Sequence, residues 1–326
     1  MEAMHHHDHI DDERHHHHTH AATSAHPGSH HLLAVEHLSV SFRRYAEGEP
    51  FFRARQRELP VIDDLTISVH AGEIVAVVGA SGSGKTLLAD AIMGLFEPNA
   101  LVTGDVWFDG RAVDAAALAR LRGHGISLVP QSVSYLDPLM RVGRLVEGCP
   151  RCSQRVAAKR KRERLFERYG LAPEVAHLYP HELSGGMARR VLLCCALMDD
   201  PKLIIADEPT PGLDLALATR ALDDLRAFAD EGGGVMLITH DVELALAVAD
   251  RIAVFRAGRI VEETSVASFA SPELLESDYA RALWHALPEH GFCADADALE
   301  DVALSGVPCQ GDDERSISGD AGGVTC

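Results

Sequence analysis

Short apolar runs alternating with amphipathic stretches predict an α/β fold built on a parallel sheet. One run, Ile74 to Val78, leads straight into GASGSGKT at residues 79–86 and then into a helical pattern, the strand, loop and helix order of a phosphate-binding P-loop. A second, KLIIADEPT at 202–210, is an apolar strand ending in two adjacent carboxylates. The 326 residues are 46% hydrophobic and 24% charged, enough for a large core and against full-length disorder.

Taken in chain order, residues 1–31 hold twelve histidines and one large aliphatic residue, Ile10, so this His-rich segment is expected to be a disordered tail. From Leu32 onward apolar runs appear. Leu65 to Val69, Ile74 to Val78, Ile126 to Val129, Leu203 to Ala206, Val235 to Thr239 and Ile252 to Phe255 read as strands. Lys85 to Leu95, Gly185 to Leu197, Asp214 to Phe228 and Val242 to Val248 read as helices. Residues 132–182 break the alternation, being rich in Arg, Lys and helix formers, and predict an inserted helical subdomain. After Glu262 a helix is expected with Ser271 as N-cap and Pro272 at its first position. The folded unit is placed at 32–290, and 291–326 is an acidic C-terminal tail.

Charge and cysteine usage narrow the function. Lys+Arg at 30 against Asp+Glu at 49 gives a net charge of -19, which argues against a surface that binds nucleic acid by neutralising phosphates. No run approaches the roughly 18 apolar residues of a spanning helix. The acidic, histidine-rich start lacks the apolar segment of a secretory signal, so a cytosolic location is expected. Seven cysteines at 149, 152, 194, 195, 293, 309 and 326 form no disulfide-like framework. Cys149 and Cys152 make a single CxxC, open to metal or redox use or to ordinary reduced thiols, while Cys194 and Cys195 read as packing residues.

The loop chemistry is legible in the residues. Gly79, Gly82 and Gly84 let the backbone turn so that N–H groups, with Ser81 and Ser83 between them, meet phosphate oxygens, and the helix at Lys85 adds its positive end. Lys85 is expected on the outer phosphates and Thr86 on magnesium. Such a loop alone fits any of many nucleotide hydrolases. With it upstream, Asp207 is expected to hold magnesium and Glu208 to orient and deprotonate the attacking water, the two side chains facing opposite ways if the strand runs through both.

LSGGM at 183–187 is the third element. P-loop at 79, LSGGM at 183, acidic strand end at 207 and a histidine at 240, in that order, resemble the ATP-binding cassette (ABC) ATPases over about residues 33–290. The resemblance implies a P-loop NTPase with a RecA-like core, an antiparallel β subdomain and an inserted helical subdomain. It also implies that two cassettes pair head to tail, with Ser184, Gly185 and Gly186 of one closing over the ATP of the other. Gln131, in LVPQ, matches the residue that senses magnesium and attacking water; His240, in LITHD, matches the histidine that contacts the γ-phosphate. Phe42, in LSVSF, falls where an aromatic stacks on adenine, although Tyr45 lies close, and Asp214 ends the D-loop PGLD at 211–214.

The segment SVSYLDPLMRVG after Gln131 and the stretch SDYARALWHAL at 277–287, with Tyr279, Arg281 and Leu283 matching, resemble the dipeptide, oligopeptide and nickel importer ATPases. The cysteine-bearing extension common in that group is represented only by scattered Cys293, Cys309 and Cys326. Neutral imidazole ligates nickel, copper, zinc and cobalt, so the histidine tail favours nickel import; an engineered tag or a pH-responsive tail is the alternative. The expected partners are a second, different ATPase chain, two permeases and an extracytoplasmic solute-binding protein, with ATP and magnesium as cofactors and Ni²⁺ on the tail. The chain is placed on the cytoplasmic side of the bacterial inner membrane. A peptide importer ATPase, and an ABC ATPase of a soluble assembly such as carbon-phosphorus lyase, are the competing readings.

Overall fold

The computed structural model describes residues 31–45, 56–148, 154–198 and 200–287. In chain order, β1 (His31–Tyr45) and β2 (Gln56–His70) precede β3 (Ile74–Val78), which feeds α1 (Lys85–Met93). β4 (Ala100–Phe108), β5 (Arg111–Ala112) and α2 (Ala115–Leu121) lead to β6 (Ile126–Val129). Next come α3 (Val142–Glu147), α4 (Arg155–Arg168) and α5 (Gly185–Ala196), then β7 (Leu203–Asp207), α6 (Leu215–Asp230), β8 (Gly234–Thr239) and α7 (Val242–Val248). β9 (Arg251–Arg256), β10 (Arg259–Ser265), α8 (Val266–Phe269) and α9 (Asp278–His285) complete the order.

The central sheet runs β10-β9-β3-β8-β7-β6, with every neighbouring pair parallel except β9 and β10. β3, β7 and β8 are buried along their whole length, as strands covered on both faces must be. Alternation of side chains splits the core into two layers. Ile74, Ala76 and Val78 of β3 pack with Val191 of α5, Leu225 of α6 and Ala245 of α7. Val75 and Val77 pack on the other side with Leu88 and Ile92 of α1 and with Val35 and Ile67 of a second, antiparallel sheet, order β2-β1-β4-β5.

The predicted strand at Leu65 to Val69 is therefore real but belongs to the antiparallel sheet, as the buried end of the longer β2, where it pairs with β1. The helices predicted at 85, 185 and 242 begin where the sequence placed them, and Gly94, in a left-handed conformation at φ 65°, ends α1 two residues early. Asp214 is not the first residue of α6 but its N-cap, accepting from the Leu217 amide at 3.0 Å. Ser271 does not cap a full helix. Only the 3-10 turn Pro272–Leu274 follows it, with no side-chain cap, and the helix proper is α9, capped by Ser277 through the Ala280 amide. Glu262, buried, accepts from the Ser277 amide and hydroxyl, both at 2.8 Å, and fixes that later start.

Between β6 and α5 the described residues of the insert form α3, α4 and 3-10 turns at Val133–Tyr135, Pro173–His177 and Pro180–Glu182, and no strand. Phe166 and Tyr169 anchor the insert in the upper apolar layer. Among the described residues no helix is long and apolar enough to cross a membrane.

Candidate active site

Parallel pairing places the C-terminal ends of β3, β8, β7 and β6 side by side, and four functional segments leave the sheet there in a row. They are the glycine loop after Val78, His240 after Thr239, Asp207 and Glu208 at the end of β7, and Gln131 just after Val129. Residues far apart in sequence thus share one sheet edge.

The loop geometry follows from its glycines. A Cβ on Gly79 would lie 2.2 Å from the Phe255 carbonyl oxygen, so only glycine lets the loop leave β3 against β9. Gly84 caps α1 at φ 105° with no side chain occupying the helix N-terminus, which leaves those amides free for an anion. Lys85 is buried, and its ammonium donates to the carbonyls of Gly79 at 2.8 Å and Ala80 at 2.7 Å. Two of its three donors are held by the loop, which pins the charge at the loop's mouth. Burial lowers the Lys85 pKa, against the pull of Glu208 and Asp207. Ser83 donates to the Ala80 carbonyl at 2.7 Å, while Ser81 and Gly82 stay exposed.

Thr86 donates to Gln131 Oε1 at 3.3 Å, joining the loop helix to the segment that enters the insert. Asp207 is only 2% exposed and its Oδ1 is buried without a hydrogen-bond partner. Burial raises its carboxyl to about 6, with Thr86 and Lys85 working the other way. An orphaned buried carboxylate oxygen beside a hydroxyl and an amide oxygen is an all-oxygen donor set that fits magnesium.

The two acids do not simply alternate along a continuing strand. β7 ends at Asp207, and Glu208 takes a left-handed φ of 49°, a strained conformation for a residue with a side chain. Its carboxylate accepts from the His240 amide at 2.9 Å, His240 Nδ1 at 2.7 Å and Thr239 Oγ1 at 3.3 Å. Sequence reasoning missed Thr239, although it stands directly before His240 in LITHD. It also missed Arg189, which donates to the Glu208 carbonyl at 3.1 Å and for which no local sequence pattern gives a signal.

Ser184 is the N-cap of α5, accepting from the Met187 amide at 3.3 Å, and Ser184 and Gly185 are exposed. A Cβ on Gly186 would come within 3.3 Å of the Gly212 carbonyl, so LSGGM lies against the PGLD turn. Phe42 sits in β1 opposite Leu59 and Ala100, partly buried against the lower apolar layer, while Tyr45 is 52% exposed near the strand end. Cys194 is buried in the upper layer, where burial pushes its thiol pKa up, as expected for a packing residue. In α9, Tyr279 and Leu283 are buried and Arg256 lies 4.7 Å over the Tyr279 ring. The histidines of residues 1–30, the CxxC at 149–152 and residues 288–326 lie outside the described residues.

Residues 62–211 match the family model described as ABC transporter. The chain is 35% identical over 272 residues to the oligopeptide transport ATP-binding protein OppD of Lactococcus lactis, covering 80% of this chain and 77% of that one. It is 35% identical over 259 residues to a putative peptide import ATP-binding protein of Brucella melitensis, 74% and 75% covered. With OppD of Mycobacterium tuberculosis it shares 38% over 247 residues, 72% of this chain but 39% of that longer one. Its fold resembles the dimeric ATP-binding cassette MJ0796 solved with ADP and Pi, at a TM-score of 0.60 and 25% identity, over 72% of this chain and 99% of that one. Strand order, loop, acidic strand end and relatives converge, and the chain belongs to the ATP-binding subunits of the ABC transporters.

Proposed function

We propose that this chain hydrolyses ATP to drive oligopeptide uptake through separate membrane-spanning permease chains. The observation that carries the ATPase reading is the row of four strand ends, with an orphaned oxygen on Asp207, a neighbour of Thr86, which in turn donates to Gln131. In this reading Gly79, Ser81, Gly82, Ser83 and Gly84 offer backbone amides to the phosphates, Lys85 neutralises the outer ones, and Thr86, Gln131 and Asp207 hold magnesium. Bound there, magnesium would draw charge from the phosphate oxygens. Glu208 takes the proton of the attacking water, and His240 fixes its carboxylate through two hydrogen bonds. Ser184, Gly185 and Gly186, with Asp214 at the end of the neighbouring turn, serve the ATP of a second cassette, and Phe42 supplies an aromatic face for adenine.

The peptide cargo is supported by the relatives' names, two of which specify oligopeptide transport and one peptide import. The nickel reading rests on the histidines of residues 1–31, and none of these relatives is named for nickel or for a soluble lyase assembly. Peptide import therefore takes precedence over it. The cassette would sit on the inner face of the bacterial membrane, paired with a second ATPase chain and served by a solute-binding protein.

The deciding experiment measures uptake of a labelled oligopeptide and of radioactive nickel in cells carrying the whole transporter, with the natural chain or with Glu208→Gln. Peptide uptake that falls about 100-fold or more in the variant, with no nickel uptake, is the expected result. Nickel uptake without peptide uptake would overturn the cargo.

A further inference from the structure

We propose that Arg189 is a positioning residue that holds Glu208 in its strained, water-activating conformation and ties it to the helix opened by LSGGM. The inference deepens the reading of Glu208 as general base and rests on it.

A side-chain-bearing residue keeps a φ of 49° only where its surroundings over-determine it. Glu208 is bound at every polar group. Its amide donates to the Ile238 carbonyl at 2.9 Å, and its carboxylate is held by Thr239 and His240. All of those contacts come from β8 and the residue that follows it. The hydrogen bond on the Glu208 carbonyl, from Arg189 Nη1 at 3.1 Å, comes instead from α5 in the layer above. It pins the far end of the strained peptide, so that the backbone cannot rotate back to an ordinary φ and swing the carboxylate away.

The anchor itself is rigid. Ala188, Val191 and Leu192 flank Arg189 on α5 and are buried in the upper core. Next to it, Arg190 donates from Nε to the Gly186 carbonyl and from Nη1 to the carbonyls of Tyr169 and Gly170, each at 3.1 Å. α5 is thereby clamped both to its own first turn and to the end of α4. Arg189 lies about 7.5 Å along the helix from Ser184, so a displacement of the LSGGM end of α5 reaches the Glu208 carbonyl through about one and a half rigid turns and one side chain. Burial lowers the Arg189 pKa, and the negative charges of Glu208 and Asp207 work against that, drawing the guanidinium toward them.

The test measures steady-state ATPase of the full chain in its complete transporter, with ATP binding and thermal midpoint, for Arg189→Met, Arg189→Lys and Glu208→Gln. Methionine keeps much of the side-chain volume without a donor; lysine keeps a cationic N–H donor on a stem one bond shorter than that of the Nη1 that makes the contact. Arg189→Met is expected to lower kcat about 10- to 100-fold with KM and nucleotide affinity within about twofold, and Arg189→Lys to recover to within about threefold of the natural chain. The proposal is overturned if Arg189→Met leaves kcat unchanged, if it lowers nucleotide affinity along with kcat, or if Arg189→Lys is as defective as methionine. Glu208→Gln separates the two levels. Full activity in that variant would remove the general-base reading itself, whereas its inactivity beside an active Arg189→Met would remove Arg189 alone.

Discussion

The edge of the parallel sheet and the helical insert handle charge in opposite ways. At the sheet edge Lys85, Asp207 and Glu208 are each no more than 6% exposed, and their partners are backbone groups, the side chains of Thr239 and His240, one another's fields, or, for Asp207 Oδ1, nothing at all. In the insert, α4 carries most of its Arg and Lys residues at the surface, with pairs such as Lys159 and Glu163, 3.9 Å apart and both more than half exposed. Buried charge is costly unless something compensates it, so a fold that retains three such groups at one edge keeps them for a ligand of complementary charge. Solvated charge on α4 costs little and specifies little. One link between the insert and the core is Asp224 of α6, which accepts from Arg168 Nε at 2.8 Å and from the hydroxyl of the fully buried Tyr169.

That contrast can be broken most severely at Gly79. A Gly79→Ala methyl would collide with the Phe255 backbone, which cannot yield, and should destabilise the fold by about 3 kcal/mol or more, read as a drop in the denaturation midpoint. A loss below about 1 kcal/mol would mean that the loop exit has slack. Next comes the link. Asp224→Ala leaves the Tyr169 hydroxyl buried without its acceptor and should cost about 2 kcal/mol, with hydrogen exchange in α4 accelerating more than in β3 or β8. Equal acceleration everywhere would show that the insert has no separate stability.

A third effect appears in acid. Burial pulls the Glu73 carboxyl upward, but the hydrogen bond from His70 and the charge of Arg251 outweigh it and hold it at about 2 rather than 4.5. A depressed carboxylate contributes stability above its unfolded pKa and loses it as pH falls through the folded one, so Glu73 should help fully at neutral pH and fade between about 4.5 and 2. Glu73→Gln should flatten that acid limb by about 2 kcal/mol, whereas Lys159→Ala on α4 should change stability by less than about 0.5 kcal/mol at any pH. An acid limb unchanged by Glu73→Gln would refute the assignment.

Much of the site is legible in the chain because its chemistry is local. GASGSGKT must follow a strand and open a helix, LSGGM must start a helix, and ADE must end a strand, each within a few residues. What stayed hidden depends on neighbours distant in sequence. The destination of Leu65 to Val69 was decided by pairing with β1, and the later start of the last helix by Glu262, fifteen residues before Ser277. Nothing near Glu208 announces its left-handed backbone, because that conformation is imposed by contacts from β8 and α5.

By itself the sequence determined the alternation of elements, the phosphate loop, the paired acids and their order along the chain, since glycine freedom, helix capping and apolar periodicity act over short distances. Only the tertiary structure decided that β3, β8, β7 and β6 stand side by side, that Asp207 keeps an unpartnered oxygen, and that Arg189 reaches the Glu208 carbonyl. Those facts are set by strand order and burial, which arise when segments remote in the chain compete for the same core and the winners fix what remains at its edge.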